Sequence, residues 1–384
     1  MSVRDVVQAA AGVGGDKLYV DDVFSTYLYT GTGSAQTITN GIDLAGEGGL
    51  VWEKSRSVGS SHGWIDTVRG TSSALSSNNT GAQNTVVSSN ITAFNSNGYT
   101  INSGGDFNTN GAIYASWSWR KAPKFFDIVT WTGDGTTNGG SVPSSGAVFA
   151  REITHSLGSA PGFVVVKSVS STGNWKACHR KDGVTQQLLA LNSAEGNQNT
   201  QSLSGGFCAI QHADAANKFY LFPYSGSVAE VNASGVTYVA YVFAHNAGGF
   251  GDDGEQDVIS CGSYTGNGSA TGPEINLGWE PQWLLIKRVS GGNSYWGIND
   301  NMRGIATGGT DAMLHPNGTD AEYQQNVIDL TATGFIPQAN QSNTNASGST
   351  YIYIAIRRPM KPPESGTEVF HPTFSINPGS PAFV

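Results

Sequence analysis

The sequence predicts an all-β chain: three tandem, divergent, antiparallel β-sandwich domains of jelly-roll-like build behind a short N-terminal helical leader. Three observations predict it. Charged residues make up only 13% of the chain while Gly alone numbers 51, a balance that favours turns between short strands over long helices. Short apolar runs are bounded by turn clusters such as TNGG, SSNNTG and HPNG, with no helical period between them. Four landmarks also recur three times in one order, the signature of a repeated domain. With 9 Trp, 14 Tyr and 16 Phe the chain carries too much aromatic bulk to stay disordered.

In chain order, the leader comes first, at residues 1–24. Its Val3, Val6, Val7 and Ala10 fall on one helical face and glycines stop the helix, which is too short to stand alone in water and so needs a surface to dock on. Repeat 1, residues 25–123, opens on YTGTG from Tyr29, continues through the buried strand GLVWEK at Gly49–Lys54, then Trp64 and Arg69, and closes on AIYASWSWRKAP from Ala112. Repeat 2, residues 124–251, follows the same order with WTGDG from Trp131, GFVVVK ending at Lys167, Trp175, Arg180 and VTYVAYVFAHNAG from Val236. Repeat 3, residues 252–362, has YTGNG from Tyr264, PQWLLIK ending at Lys287, Trp296, Arg303 and STYIYIAIRRPMKP from Ser349. A tail at 363–384 reads as an extended arm whose Val369, Phe370, Phe374 and Phe383 anchor it along a neighbouring subunit.

Features present in all three copies serve the shared fold. Trp64, Trp175 and Trp296 are therefore expected to be buried, each with its Arg69, Arg180 or Arg303 packed over the ring. Receptor contacts belong instead to loops that differ between copies, the polar stretches 72–90, 193–205 and 305–326.

The formal net charge is −9 and no stretch concentrates Lys and Arg, which excludes a phosphate-backbone footprint and with it a nucleic-acid partner. No run reaches the roughly 18 to 20 apolar residues of a membrane span, and MSVRDVVQAAAGVGG lacks a signal peptide's pattern, so the expectation is a soluble protein with no membrane insertion. Cys178, Cys208 and Cys261 are odd in number and lack metal-ligand spacing; they are expected to be reduced and buried. No cofactor motif occurs.

Neither does a catalytic constellation. Gly59, Ser60, Ser61, His62 and Gly63 fit the nucleophile-elbow pattern, but no helix follows and the repeat scheme makes them a loop between strands. The histidines, His62, His155, His179, His212, His245, His315 and His371, are dispersed without ligand spacing. Asp21 and Asp22, and the group Asp252, Asp253, Glu255 and Asp257, fall near repeat boundaries and read as solvated linkers, with a stabilising cation as the lesser alternative.

The phrases FFDIVTWTGDG, HSLGSAPGFVVVK, NWKACHR and VNASGVTYVAYVFAHNAG resemble a repeated domain of marine bacteriophage virion proteins. The third copy's GSYTGNGSATGPEINLGWEPQWLLIKR and STYIYIAIRRP and the opening YLYTGTGSAQTITNGIDLAGEGGLVWEKSRS are similar to the same family, over about residues 20–362. Such proteins are tail fibres or other virion structural proteins. The resemblance implies a location in the virion, assembly in the host cytoplasm and a part in host attachment, with no known catalytic site. The resulting expectation is a tail fibre or tail-associated adhesin. Its partners would be other virion (tail or capsid) proteins, itself as a homotrimer, and a host surface polysaccharide or outer-membrane receptor. The alternatives are a purely architectural capsid decoration, head fibre or tail connector protein, and a polysaccharide depolymerase.

Overall fold

A computed structural model of the chain describes residues 17–83, 91–103, 105–137, 151–181, 186–196, 208–210, 215–223, 228–305, 308–339 and 341–363. The leader's helical stretch and the tail's apolar anchors lie outside these residues. What is described is mostly β, in several antiparallel sheets.

The first copy contains β1 (Phe24–Thr30), β2 (Gln36–Thr39), β3 (Gly49–Ser55), β4 (Gly63–Asp66), β5 (Ala74–Leu75), β6 (Ile91–Asn95), β7 (Gly98–Ile101) and β8 (Ile113–Arg120). The second contains β9 (Phe126–Thr132), β10 (Arg151–Thr154), β11 (Phe163–Ser168), β12 (Lys176–His179), β13 (Gln187–Ala190), β14 (Cys208–Ala209), β15 (Lys218–Leu221), a single helical turn α1 (Val228–Val231) and β16 (Thr237–Phe243). The third contains β17 (Ile259–Thr265), β18 (Ile275–Asn276), β19 (Pro281–Arg288), β20 (Gly297–Asp300), β21 (Asp311–Met313), β22 (Tyr323–Gln325), β23 (Ile328–Thr331), β24 (Gly334–Pro337) and β25 (Thr350–Arg357).

Strand order repeats. The larger sheets run β1-β8-β3-β4-β5, β9-β16-β11-β12-β13 and β17-β25-β19-β20, and the smaller ones β2-β7-β6, β10-β15-β14 and β18-β24-β23. In the third copy Leu314 bridges Ile298 and so fills the fifth place, while β21 and β22 form an extra hairpin. Register then equates the copies residue by residue: Tyr29 lies opposite Tyr114, Trp131 opposite Tyr238 and Tyr264 opposite Tyr351. By the same alignment Lys54, Lys167 and Lys287, which face Ala115, Val239 and Ile352, are equivalent.

Side chains alternate across a strand, so β3 divides its residues between two environments. Val51 enters a core with Ile38, Tyr99 and Ile101 from the smaller sheet; Leu284 and Ile286 of β19 do the same with Ile275 and Phe335. Leu50, Trp52 and Lys54 point the other way, where an isolated two-sheet unit would meet water. Yet every residue of β3 is buried. The outer faces of the three larger sheets pack on one another, and a single apolar cluster joins Trp52, Trp117 and Trp119 to Phe163 and Tyr241 and to Trp283 and Trp296.

Hydrogen bonds close this packing into a ring of approximate threefold symmetry. From the first copy, Thr80 O accepts Gly173 N (2.9 Å) and Lys167 Nζ (3.2 Å) of the second, and Ser76 O accepts Trp175 Nε1 (2.9 Å). The second copy's Ala194 O accepts Ser294 N (2.8 Å) and Lys287 Nζ (2.8 Å) of the third, and Ala190 O accepts Trp296 Nε1 (3.1 Å). The third returns to the first: Thr319 O accepts Ser60 N (2.8 Å) and Lys54 Nζ (3.2 Å), and His315 O accepts His62 Nε2 (2.8 Å). Arg56 adds a two-pronged contact to Glu322 across this closing seam, at 2.8 and 2.7 Å. Desolvation holds the three lysines low, Lys54 and Lys167 at about 8 and Lys287 at about 7.

Because the copies share one buried hub, they are expected to unfold together. Tryptophan fluorescence and far-ultraviolet circular dichroism should give coincident urea transitions, whereas three independent units would give separated ones. Trp175→Phe keeps an aromatic side chain but removes the indole donor to Ser76 O, which retains Asn79 N at 3.3 Å, and should lower stability by about 1 kcal/mol in the same titration.

Candidate functional site

The recurring phrases are fold devices. Each wraps a buried asparagine: Asn108 Nδ2 donates to Ser34 O (2.6 Å), Asn232 Nδ2 to Thr136 O (3.1 Å) and Asn345 Nδ2 to Ser269 O (2.9 Å). The same residues' carbonyls accept Gly33 N, Gly135 N and Gly268 N. Both glycines of the phrase are required. A Cβ on Gly31, Gly133 or Gly266 would overlap the carbonyl of Thr109, Ala233 or Ala346, and Gly33, Gly135 and Gly268 have φ of +69°, +79° and +70°. The leading aromatic stacks on the last strand's tyrosine, Tyr29 on Tyr114 and Tyr264 on Tyr351 at 5.0 Å, and Trp131 on Tyr238 at 5.5 Å. Sequence reasoning missed the asparagines, although each stands six residues before that tyrosine.

In the first copy Tyr29 OH also lies 3.1 Å from Glu53 Oε1. Glu53 occupies a core position whose counterparts are Val166 and Ile286, with no ion-pair partner among the described residues, and desolvation raises its carboxyl to about 8.

Register corrects the tryptophan column. Trp64 pairs with Trp52 and so shares its place with Ala177 and Ile298, whereas His62 is the counterpart of Trp175 and Trp296. Asn78, Asn192 and Asn317 cap the backbone N–H of His62, Trp175 and Trp296 alike. Trp52 Nε1 donates to His62 Nδ1 (2.8 Å), which fixes the proton on Nε2, the nitrogen that meets His315 O. All three tryptophans are buried, and Trp64 meets Trp175 edge-on at 5.0 Å across two copies.

The arginines do not sit over their own copy's tryptophan. Arg69 Nε pairs with Asp66 (2.6 Å) and its Nη2 reaches Tyr241 OH (3.0 Å) in the second copy. Arg303 Nε pairs with Asp300 (2.6 Å) and lies 5.3 Å from the centre of the Trp117 ring, whose Nε1 donates to Asp300 (3.0 Å). Register puts His179 where the other copies have Asp66 and Asp300, and its Nε2 bonds Tyr353 O of the third copy at 2.9 Å. Arg180 follows His179 directly and is not the equivalent of Arg69.

The remaining candidates are structural in placement. Gly59–Gly63 lead into β4 at the closing seam, not into a helix. Asp21 accepts Met360 N and Lys361 N, Asp22 caps Tyr19 N, Asp252 meets Lys17 and Tyr19, and Asp257 accepts Gly248 N, so these carboxylates clasp the chain at repeat boundaries. Among the described residues no group of His, Cys, Asp and Glu could hold a metal ion. Burial lowers the pKa of His62, His155, His179, His245 and His315; His212 and His371 lie outside the described residues. The three cysteines are free and buried.

Among the described residues two clefts open at the junction of the second and third copies. One, of about 350 Å³, is lined by Arg180, Lys181, His245, Asn246 and Tyr353 among others. The other, of about 400 Å³, is lined by Ala194 of the second copy and by Tyr295, His315, Tyr323, Gln325, Gln341 and Asn343 of the third. Tyr295 is 48% exposed and stacks on His315 at 4.8 Å. His315 Nδ1 donates to Trp296 O (2.6 Å), and its Nε2 accepts from Tyr323 OH (2.8 Å). An exposed aromatic face is thus held rigid beside amides and hydroxyls; of this lining Ala194 falls in the stretch 193–205 and His315, Tyr323 and Gln325 in 305–326, whereas Tyr295 lies in neither. The Gln341–Asn343 wall was not foreseen, because that stretch resembles every other polar loop.

Fold and site define a class: a mostly β chain of three repeated units closed into a ring, with polar clefts among the described residues at the junction of the second and third. Residues 20–359 match the model of a family described as a domain of unknown function, DUF7483, and the chain belongs to that family. No curated protein and no solved structure matches it. No described helix is long and apolar enough to cross a membrane.

Asp300→Ala leaves the buried Arg303 with its longer contact to Glu322 (3.3 Å) and the Trp117 indole without its acceptor, and should cost about 3 kcal/mol in denaturant titrations. Glu53 supplies a pH test. Its proton is held to about 8 in the native state and only to the usual 4.5 when unfolded, so stability falls as pH rises through that window. Glu53→Gln removes this dependence, and its melting temperature should rise relative to the parent between about pH 5 and about pH 9.

Proposed function

We propose that the chain is a structural and adhesive component of a bacteriophage virion, a tail fibre or tail-associated adhesin. In this reading three jelly-roll-like β-sandwich domains form a rigid ring that contributes to host-surface recognition. Nested pairing supports the domain reading: first strand with last and third beside last in one sheet, second strand in the opposing sheet. The likeness of the repeats to phage virion proteins supports the particle.

The observation that carries adhesion is the contrast between a hub repeated three times and a cleft whose aromatic platform, Tyr295, is not repeated in the other copies. The residues that precede the ring position are Ser61 and Asn174 in the other copies, where the third has Tyr295. A fixed scaffold with recognition in variable loops is how binding proteins divide the work. Because the ring occupies the inner sheets, a homotrimer would assemble through outer surfaces, and repeated weak contacts would then gain avidity.

Fluorescently labelled full-length chain should bind intact cells of a susceptible marine bacterium saturably. Absence of binding by folded protein across a host panel, with the clefts covered by neighbouring subunits in the virion, would instead establish a purely architectural role.

A further inference from the structure

Three features of the larger cleft restrict what it can hold. Among the described residues no charged side chain lines it, and its polar groups are the amides of Asn293, Gln325, Gln341 and Asn343 with the hydroxyls of Ser294, Ser342 and Tyr323. Amides and hydroxyls both donate and accept, so they match a ligand that also does both; a phosphate or carboxylate needs a cation or several donors alone. The second feature is the Tyr295 ring. It is fixed by the chain Trp296 O, His315, Tyr323 OH, so an aromatic platform stands ready without further ordering. The third is size: about 400 Å³ suits one or two small rings and excludes a folded partner.

Burial keeps His315 neutral, so the site gains no cation near neutral pH. Its Nδ1–H is committed to a carbonyl and its Nε2 to a tyrosine hydroxyl, which makes this imidazole a support for Tyr295 and not an acid or base.

We infer that this cleft is a binding site for an uncharged pyranose, whose apolar C–H face lies on Tyr295 and whose hydroxyl edge meets the amides of Gln325, Gln341 and Asn343. The inference rests on the adhesive reading for its biological setting but not for its chemistry. The β21–β22 hairpin supplies Tyr323 and Gln325, and no equivalent hairpin is found in the other copies among the described residues. The second copy contributes Ala194, so an intact junction is needed for a complete wall.

The test is saturation-transfer NMR of the full chain against glucose, galactose, mannose, N-acetylglucosamine and the acidic sugars glucuronate and sialate, beside Tyr295→Ala and Tyr295→Phe. At least one neutral sugar should give transfer. Tyr295→Ala should weaken it by about tenfold while Tyr295→Phe, which keeps the ring, should retain it. The exposed position of Tyr295 leaves the fold intact in both variants, which circular dichroism verifies. Lack of transfer from every neutral sugar, preference for an acidic one, or indifference to Tyr295→Ala would each overturn the inference. Cell binding separates the two readings: cells bound without sugar transfer refute the pyranose site alone, and sugar transfer without cell binding refutes adhesion alone.

Discussion

Everything in this molecule depends on what happens to the outer faces of three sheets. A two-sheet unit has one side of each sheet to hide and one to wet, and evolution ordinarily makes the wet side polar. Here Leu50 and Trp52, Phe163 and Val165, and Trp283 and Leu285 occupy that side. Such faces cannot be left in water, and only mutual burial satisfies all three at once. Two copies alone would leave apolar surface open, so the third contact, from Thr319 and His315 back to the first copy, is what makes the arrangement complete.

The lysine at the end of each central strand shows how the hub tolerates polarity. Lys54, Lys167 and Lys287 end runs that are otherwise apolar and are themselves buried. Each reaches a carbonyl of the preceding copy, and the same carbonyl accepts a backbone N–H two residues before the ring position. Desolvation pulls these amines below the usual lysine range, and each is held by hydrogen bonds to carbonyl oxygens with no carboxylate at hydrogen-bond distance among the described residues. A satisfied polar contact in an apolar hub fixes rotation of one copy against the next, which apolar packing alone would not.

The β character and the recurring phrases were legible because turn glycines, alternation and repeated motifs are local signals; the strand order was not. Nor was the ring. A strand buried on both faces reads the same whether its second face meets its own domain or another, so GLVWEK and GFVVVK announced burial without naming the partner. The tryptophan column shows the same limit: spacing from Lys54, Lys167 and Lys287 varies by a residue or two, enough to align Trp64 with Trp175 while register aligns His62. The cleft was half legible. Divergent loops 193–205 and 305–326 were marked as recognition surface, but Tyr295 was hidden beside a structural tryptophan, and its importance comes only from His315, twenty residues away.

The three junctions also differ in a way that bears on where function sits. First to second is locked by Asp66, Arg69 and Tyr241, and third to first by Asp300, Arg303 and Trp117, both buried charge networks intolerant of change. At the second-to-third junction His179 replaces the aspartate and makes one bond to a backbone carbonyl, an acceptor that any residue supplies. A contact through the backbone leaves side chains on that seam free to vary without leaving a charge unpaired. Both clefts open there. The clefts thus lie at the seam where the shared architecture demands least of the sequence, while the two demanding seams keep the ring closed.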